Sequence, residues 1–161
     1  MFISEVGGNK PNNESRLENP ERASIAIING VKLEKISPML SFTIADKQGR
    51  ILSGQTIEAF VASVSNRNLL SVGLNCSFGA REMKPFLKRL SEIAPCYVSV
   101  YPNAGLPNEL GEYDQTPREM ADTVREYIDE GLVNIIGGCC GTTDEFIALF
   151  PPMVDGVPPR V

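Results

Sequence analysis

The chain has 161 residues, with 15 Lys or Arg against 20 Asp or Glu and a net charge of −5. That is length enough for one domain with a real core, without the basic surface that nucleic acid or an anionic membrane would attract. Hydrophobic residues make up 42% and charged ones 22%, a soluble globular balance, and no apolar run approaches the roughly 18 residues of a membrane span.

Residues 1 to 29 read as a mobile tail, rich in Asn, Glu, Pro and Gly. The first residues, Met1 to Asn9, carry neither a basic n-region nor an apolar h-region, so a cytoplasmic location is expected. Within the tail, Ala23–Ile28 predicts one or two helical turns ended by Asn29-Gly30. Pro38–Ile44 is strand-like, and Ile57, Phe60, Val61 and Val64 follow helical spacing. Leu69–Leu74 is the next strand. Met83, Phe86, Leu87, Leu90 and Ile93 predict a second helix, in which Pro85 is expected near the first turn. Tyr97–Tyr101 is a third strand, followed by a long loop to Gln115. Thr116-Pro117-Arg118-Glu119 reads as a capping box with proline at the first helical position, and Gly131 as the helix stop. Leu132–Ile136 is the fourth strand. Thr142 to Glu145 predicts a cap for a final helix that Pro151-Pro152 would end.

Four strand-helix units in succession imply parallel strands joined by right-handed helical crossovers. Each strand is nearly continuous in apolar residues, as when both faces are covered. A small doubly wound sheet and half of a (β/α)8 barrel both fit, and in both the working loops lie at the strands' C-terminal ends.

Three cysteines fall at those ends. Cys76 closes Leu69-Leu-Ser-Val-Gly-Leu-Asn-Cys, and Cys139 and Cys140 lie in the glycine turn after Ile136. Neighbouring Cα atoms are about 3.8 Å apart, below the usual bridged range, so Cys139 and Cys140 do not pair with each other. Thiolates on successive residues can still converge on a metal where glycines allow a sharp turn, here Gly137, Gly138 and Gly141. Four cysteines without a secretory signal fit a reducing compartment, where clustered thiols are metal ligands or reactive groups more often than bridges. The chain has no histidine, so zinc would be held by thiolates and carboxylates, and no imidazole can act as general base.

Gly73-Leu-Asn-Cys76, Tyr101-Pro-Asn-Ala-Gly-Leu-Pro107, Gly111-Glu-Tyr-Asp114 and Gly137-Gly-Cys-Cys-Gly-Thr-Thr143, in this order, resemble the homocysteine-binding (homocysteine S-methyltransferase) domain of cobalamin-dependent methionine synthase. Gly49-Arg-Ile-Leu-Ser-Gly-Gln-Thr56 is similar to the same domain just upstream. The resemblance covers residues 30–161 and implies α/β architecture: parallel βαβ units forming half of a TIM-type barrel, the C-terminal half of that domain. It implies that Cys76, Cys139 and Cys140 bind a catalytic Zn2+, with no catalytic residue beyond the metal ligands. It also implies a zinc-dependent homocysteine S-methyltransferase in methionine biosynthesis, whose methyl donor, methylcobalamin, sits on another domain of the full-length enzyme. Homocysteine and the cobalamin and folate domains of the parent chain are the implied partners. The alternatives are a cobalamin-independent homocysteine methyltransferase with a sulfonium or betaine donor, or a non-catalytic zinc-binding remnant.

Phe42 stands where that family usually has a glycine, and Asp144 and Phe146 where proline and histidine are common. With only half a barrel, methyl transfer by this chain alone is expected to be negligible, and exposed strand edges and apolar faces are expected to drive self-association. Cys96 precedes a strand, matches no ligand motif and reads as structural. Asn75 and Asn103 read chiefly as satisfying backbone groups, and Glu112 and Asp114 as solvated loop carboxylates.

Overall fold

The computed structural model describes residues 2–4 and 38–160. Apart from Phe2–Ser4, the segment read as a tail lies outside the described residues, as does the helical turn expected over Ala23–Ile28. The elements in order are β1 (Phe2–Ser4), β2 (Met39–Phe42), α1 (Ile57–Val64), β3 (Ser71–Gly79), α2 (Ala80–Ile93), β4 (Tyr97–Asn103), α3 (Pro117–Asp129), β5 (Ile135–Ile136), α4 (Asp144–Ala148) and α5 (Pro151–Val154). They form one open sheet in the order β1-β2-β3-β4-β5. Strands β2 to β5 are parallel neighbours, whereas β1 runs antiparallel along β2, pairing Phe2 with Ser41 and Ser4 with Met39. Four parallel strands alternating with helices are half of a TIM-type barrel, unclosed.

Strand alternation sends Leu40, Phe42, Val72, Leu74, Val98 and Val100 to one face, where they are buried against Phe60, Met83, Leu87, Leu90, Met120 and Val124 of the helices. Phe42 packs on Phe60 with ring centroids 4.3 Å apart. The other face carries Ser41, Gly73 and Ser99 in one register row. It also carries Ser71, Asn75 and Asn103. The same face carries Met39, Tyr101 and Ile135, so it mixes small polar side chains with larger apolar ones.

Local chemistry sets the best-defined helix. Thr116 and Glu119 form the capping box of α3 with Pro117 at its start. At the other end Gly131 takes φ 65°, donating to the Ile128 carbonyl at 2.9 Å while Leu132 donates to Tyr127 at 2.9 Å, the paired bonds of a glycine helix stop. Helix α2 starts earlier than its apolar spacing implies, at Ala80. Pro85 is therefore beyond the first turn and not within it. The amide it lacks costs α2 one intrahelical bond, and the helix persists through Met83, Leu87 and Leu90, all fully buried.

Three further elements differ from the sequence reading. Strand β5 is only Ile135–Ile136; just before it Asn134 holds β4 twice, its amide donating to the Val98 carbonyl at 2.8 Å and its Oδ1 accepting from the Val98 amide at 2.9 Å. Thr143 caps α4 without a side-chain bond. Pro151-Pro152 open α5 and do not simply end α4, as proline suits a first helical turn.

The far end of the sheet is closed by Arg160. Its guanidinium donates to Ser91 Oγ at 2.8 Å, to the Cys96 carbonyl at 3.1 Å and to the Ala94 carbonyl at 3.3 Å, and also to the Ser91 carbonyl. Carbonyls freed where α2 ends thus find a charged donor. Among the described residues, no helix is long and apolar enough to cross a membrane.

Candidate metal centre

At the C-terminal end of β3 the backbone leaves ordinary strand geometry. Cys76 and Ser77 have φ 55° and 67°, and the register with β4 shifts between Asn75 and Gly79. Left-handed backbone costs a non-glycine residue roughly 1–2 kcal/mol, and it persists where neighbours over-determine it. Here Asn75 is buried, accepting from Ser41 Oγ at 2.7 Å and donating to Thr43 Oγ1 at 3.1 Å. The Ser77 hydroxyl donates to the Ile44 carbonyl. The kink turns Cys76 out of the sheet toward the mouth.

The second cysteine segment is laced to the end of β4. Gly137 N–H donates to Val100 at 3.0 Å, Cys139 N–H to Pro102 at 2.9 Å, and Ala104 N–H to Cys140 at 2.9 Å. Cys140 N–H donates to Asn103 Oδ1 at 3.1 Å. Gly141 has φ 77°, and the Tyr113 ring occupies the space a Cβ there would need. Partial burial and the adjacent Cys140 thiol push the Tyr113 phenol above its ordinary pKa.

These two segments bring together the three cysteines singled out in the sequence. The Sγ atoms of Cys76, Cys139 and Cys140 all lie within 4.8 Å of one another. Cys76 to Cys140 is 3.7 Å and Cys139 to Cys140 is 4.0 Å. Cys76 and Cys139 meet sulfur to sulfur as a disulfide, with Cα atoms 5.7 Å apart, a pairing the sequence does not foretell. Cys140 is exposed and free. Thiolates about 2.3 Å from a tetrahedral zinc are spaced roughly 3.8 Å from each other. Two of the three separations already match that spacing, and the donor set of three thiolates suits zinc. The third pair, Cys76 and Cys139, can serve as ligands once reduced.

Other candidates lie elsewhere or are otherwise engaged. Cys96 stands half-buried just before β4, at the opposite end of the sheet, and burial raises its thiol pKa. Asp114 accepts from Asn108 Nδ2 at 3.1 and 3.2 Å, and the amides of Leu110 and Glu112 donate to Asn108 Oδ1. This loop holds its own shape and offers no carboxylate to the cysteines. Sequence reasoning missed Tyr113, although it lies inside the Gly111 to Asp114 stretch singled out above. It also missed the left-handed Cys76-Ser77 pair, for which the sequence carries no signal.

The family model of homocysteine S-methyltransferase matches residues 17–151. The match contains all three cysteines and begins inside the segment read as a tail.

Proposed function

The chain belongs to the homocysteine S-methyltransferase family, and from that premise we propose that Cys76, Cys139 and Cys140 hold a zinc ion that activates the thiol of homocysteine for methylation to methionine. The convergence of three sulfurs at the C-terminal mouth of the parallel strands carries this reading, since active sites of barrel enzymes occupy that end. Three protein ligands leave a fourth position for substrate, the arrangement of a catalytic rather than a structural centre. When bound, zinc would supply the positive charge that keeps a substrate thiol deprotonated at neutral pH.

The chain's own residues set the rest. Three thiolates outweigh a divalent charge by one, so the site withdraws little electron density from a substrate sulfur, which stays nucleophilic. The Asn75 and Ser77 bonds hold Cys76 at the mouth, and the glycine turn holds Cys139 and Cys140 against the end of β4. With no histidine in the chain, none of its own residues can take the substrate proton as an imidazole.

We further propose that residues 30–161 act as the homocysteine-binding part of a cobalamin-dependent methionine synthase in the cytoplasm. In this reading the methyl group arrives from methylcobalamin carried on another domain, and the free sheet edge meets further protein, either those domains or a second copy. The stretches Pro102-Asn-Ala-Gly-Leu-Pro107 and Gly111-Glu-Tyr-Asp114 support the cobalamin-dependent branch, whereas the cysteine motifs are common to related homocysteine methyltransferases.

The test is proton release and absorption of the reduced chain loaded with cobalt(II). L-homocysteine is expected to release about one proton per site and to intensify the thiolate-to-cobalt band, whereas L-homoserine does neither, because only a thiol deprotonates on coordination. Equal responses to the two would contradict the proposal.

A further inference from the structure

The sulfurs gathered at the mouth are not equally covered. Cys76 and Cys139 are half-buried, whereas Cys140 is exposed. A site that moves a methyl group has to direct it to the substrate sulfur, although the protein's own thiolates are nucleophiles too. Attack by Cys140 would form an S–CH3 bond with a sulfur lone pair while the bond from the methyl carbon to its leaving group breaks. The leaving group departs with that electron pair, and no proton moves. The product is a neutral thioether in place of an anionic ligand, so a site that binds metal through thiolate charge would be spoiled by its own chemistry.

Tyr113 stands beside the sulfur at risk. Its ring lies against Gly141, filling the space a Cβ there would need, and its hydroxyl neighbours the Cys140 thiol. The side chain is half-buried and packs on the edge of the core. Its loop holds it there without help from a ligand. Tyr113 pairs with Pro107 in an antiparallel bridge, Asn108 N–H donates to the Glu112 carbonyl at 2.8 Å, and Asp114 accepts from Asn108 Nδ2 at 3.1 and 3.2 Å. Just beyond, Thr116 ties the loop to α3 through the capping box.

We propose that Tyr113 is a specificity-determining residue: its ring covers one side of Cys140 and its hydroxyl donates to the Cys140 sulfur, so that an incoming methyl group goes to the substrate sulfur instead. A phenol O–H bonded to a thiolate occupies a lone pair and draws off electron density, and both effects slow alkylation. The ring adds a steric barrier on the side of Gly141.

The inference rests on the metal reading above, and its test separates the two. The reduced chain is loaded with zinc, its zinc content is measured, and it is treated with iodomethane, from which iodide leaves as the S–CH3 bond forms. Methyl groups on each cysteine are then followed by fragmentation mass spectrometry, with Cys96 at the opposite end of the sheet as the internal reference. Relative to Cys96, Cys140 should methylate about tenfold faster in Tyr113→Phe, which keeps the ring and loses the hydroxyl. It should methylate faster still in Tyr113→Leu, which loses the ring as well. Cys139 should keep its rate in Tyr113→Phe, which distinguishes loss of cover at one sulfur from loosening of the whole turn. Equal Cys140 rates in the unsubstituted chain and Tyr113→Phe overturn the role of Tyr113, as does a parallel rise at Cys139 and Cys140. A folded, reduced, unsubstituted chain that takes no zinc overturns the metal reading. The Cys140 rate in the metal-free chain, with and without the Tyr113 hydroxyl, then decides the Tyr113 contact by itself.

Discussion

The two ends of the parallel sheet are built on different terms. At the end where β3 and β4 begin, Arg160 satisfies helix and loop carbonyls and Asn134 ties β5 to Val98 and to the Arg160 carbonyl. Most polar groups there find an ordinary partner, although among the described residues the buried Ser71 hydroxyl at the start of β3 has none. At the other end, two successive non-glycine residues are left-handed, Cys76 and Ser77. Glycines admit aromatic rings where a Cβ would sit, and a thiol is exposed. Stability is concentrated at one end and unfavourable local geometry at the other, which is how a sheet holds a reactive cluster it would not form from local preference.

Perturbing each end should sharpen the contrast. Arg160→Ala removes four hydrogen bonds from a charged donor and is expected to cost about 2–3 kcal/mol of stability in urea unfolding, leaving metal affinity of the folded chain unchanged. A loss of metal affinity would mean that the two ends are coupled. Gly141→Ala should cost roughly 1–2 kcal/mol, from left-handed φ and displacement of Tyr113. Unlike the Arg160 change, it should also weaken metal binding. The smallest effect lies on the helical surface, where the hydrogen bond from Arg89 holds the Glu58 carboxyl at about 2, down from an ordinary 4.5. Since the folded value is the lower one, the contribution of this pair is fully present above the unfolded value and is lost as pH falls from about 4.5 toward 2. Both side chains are exposed, so the effect is small and screened by salt. Glu58→Gln should flatten this part of the stability profile in acid unfolding without touching the cysteines.

What the sequence reveals follows the range of the forces involved. Helix α3 is legible from end to end, because Thr116, Pro117, Glu119 and Gly131 act within one turn of where they stand. The helix-side core is legible from alternation, and three cysteines at strand ends are legible as a group because the topology places all such ends together. Less legible is whatever depends on partners far along the chain. The entry to β5 is held by an Asn134 side chain that reaches Val98, β3 runs on to Gly79 through a kink held by residues just after β2, and α2 carries Pro85 on the strength of its buried face. The Cys76–Cys139 pairing and the contact of Tyr113 with Gly141 join segments that no local pattern connects.

Zinc content of the purified, reduced chain, measured alongside Cys76→Ala, Cys139→Ala and Cys140→Ala, tests the central claim most directly. About one zinc per chain is expected, with affinity reduced by roughly a hundredfold or more in each variant, as a total near 10–16 kcal/mol is shared among a few ligands. A folded, reduced chain without zinc would contradict the account, as would zinc retained undiminished when any one of the three sulfurs is removed.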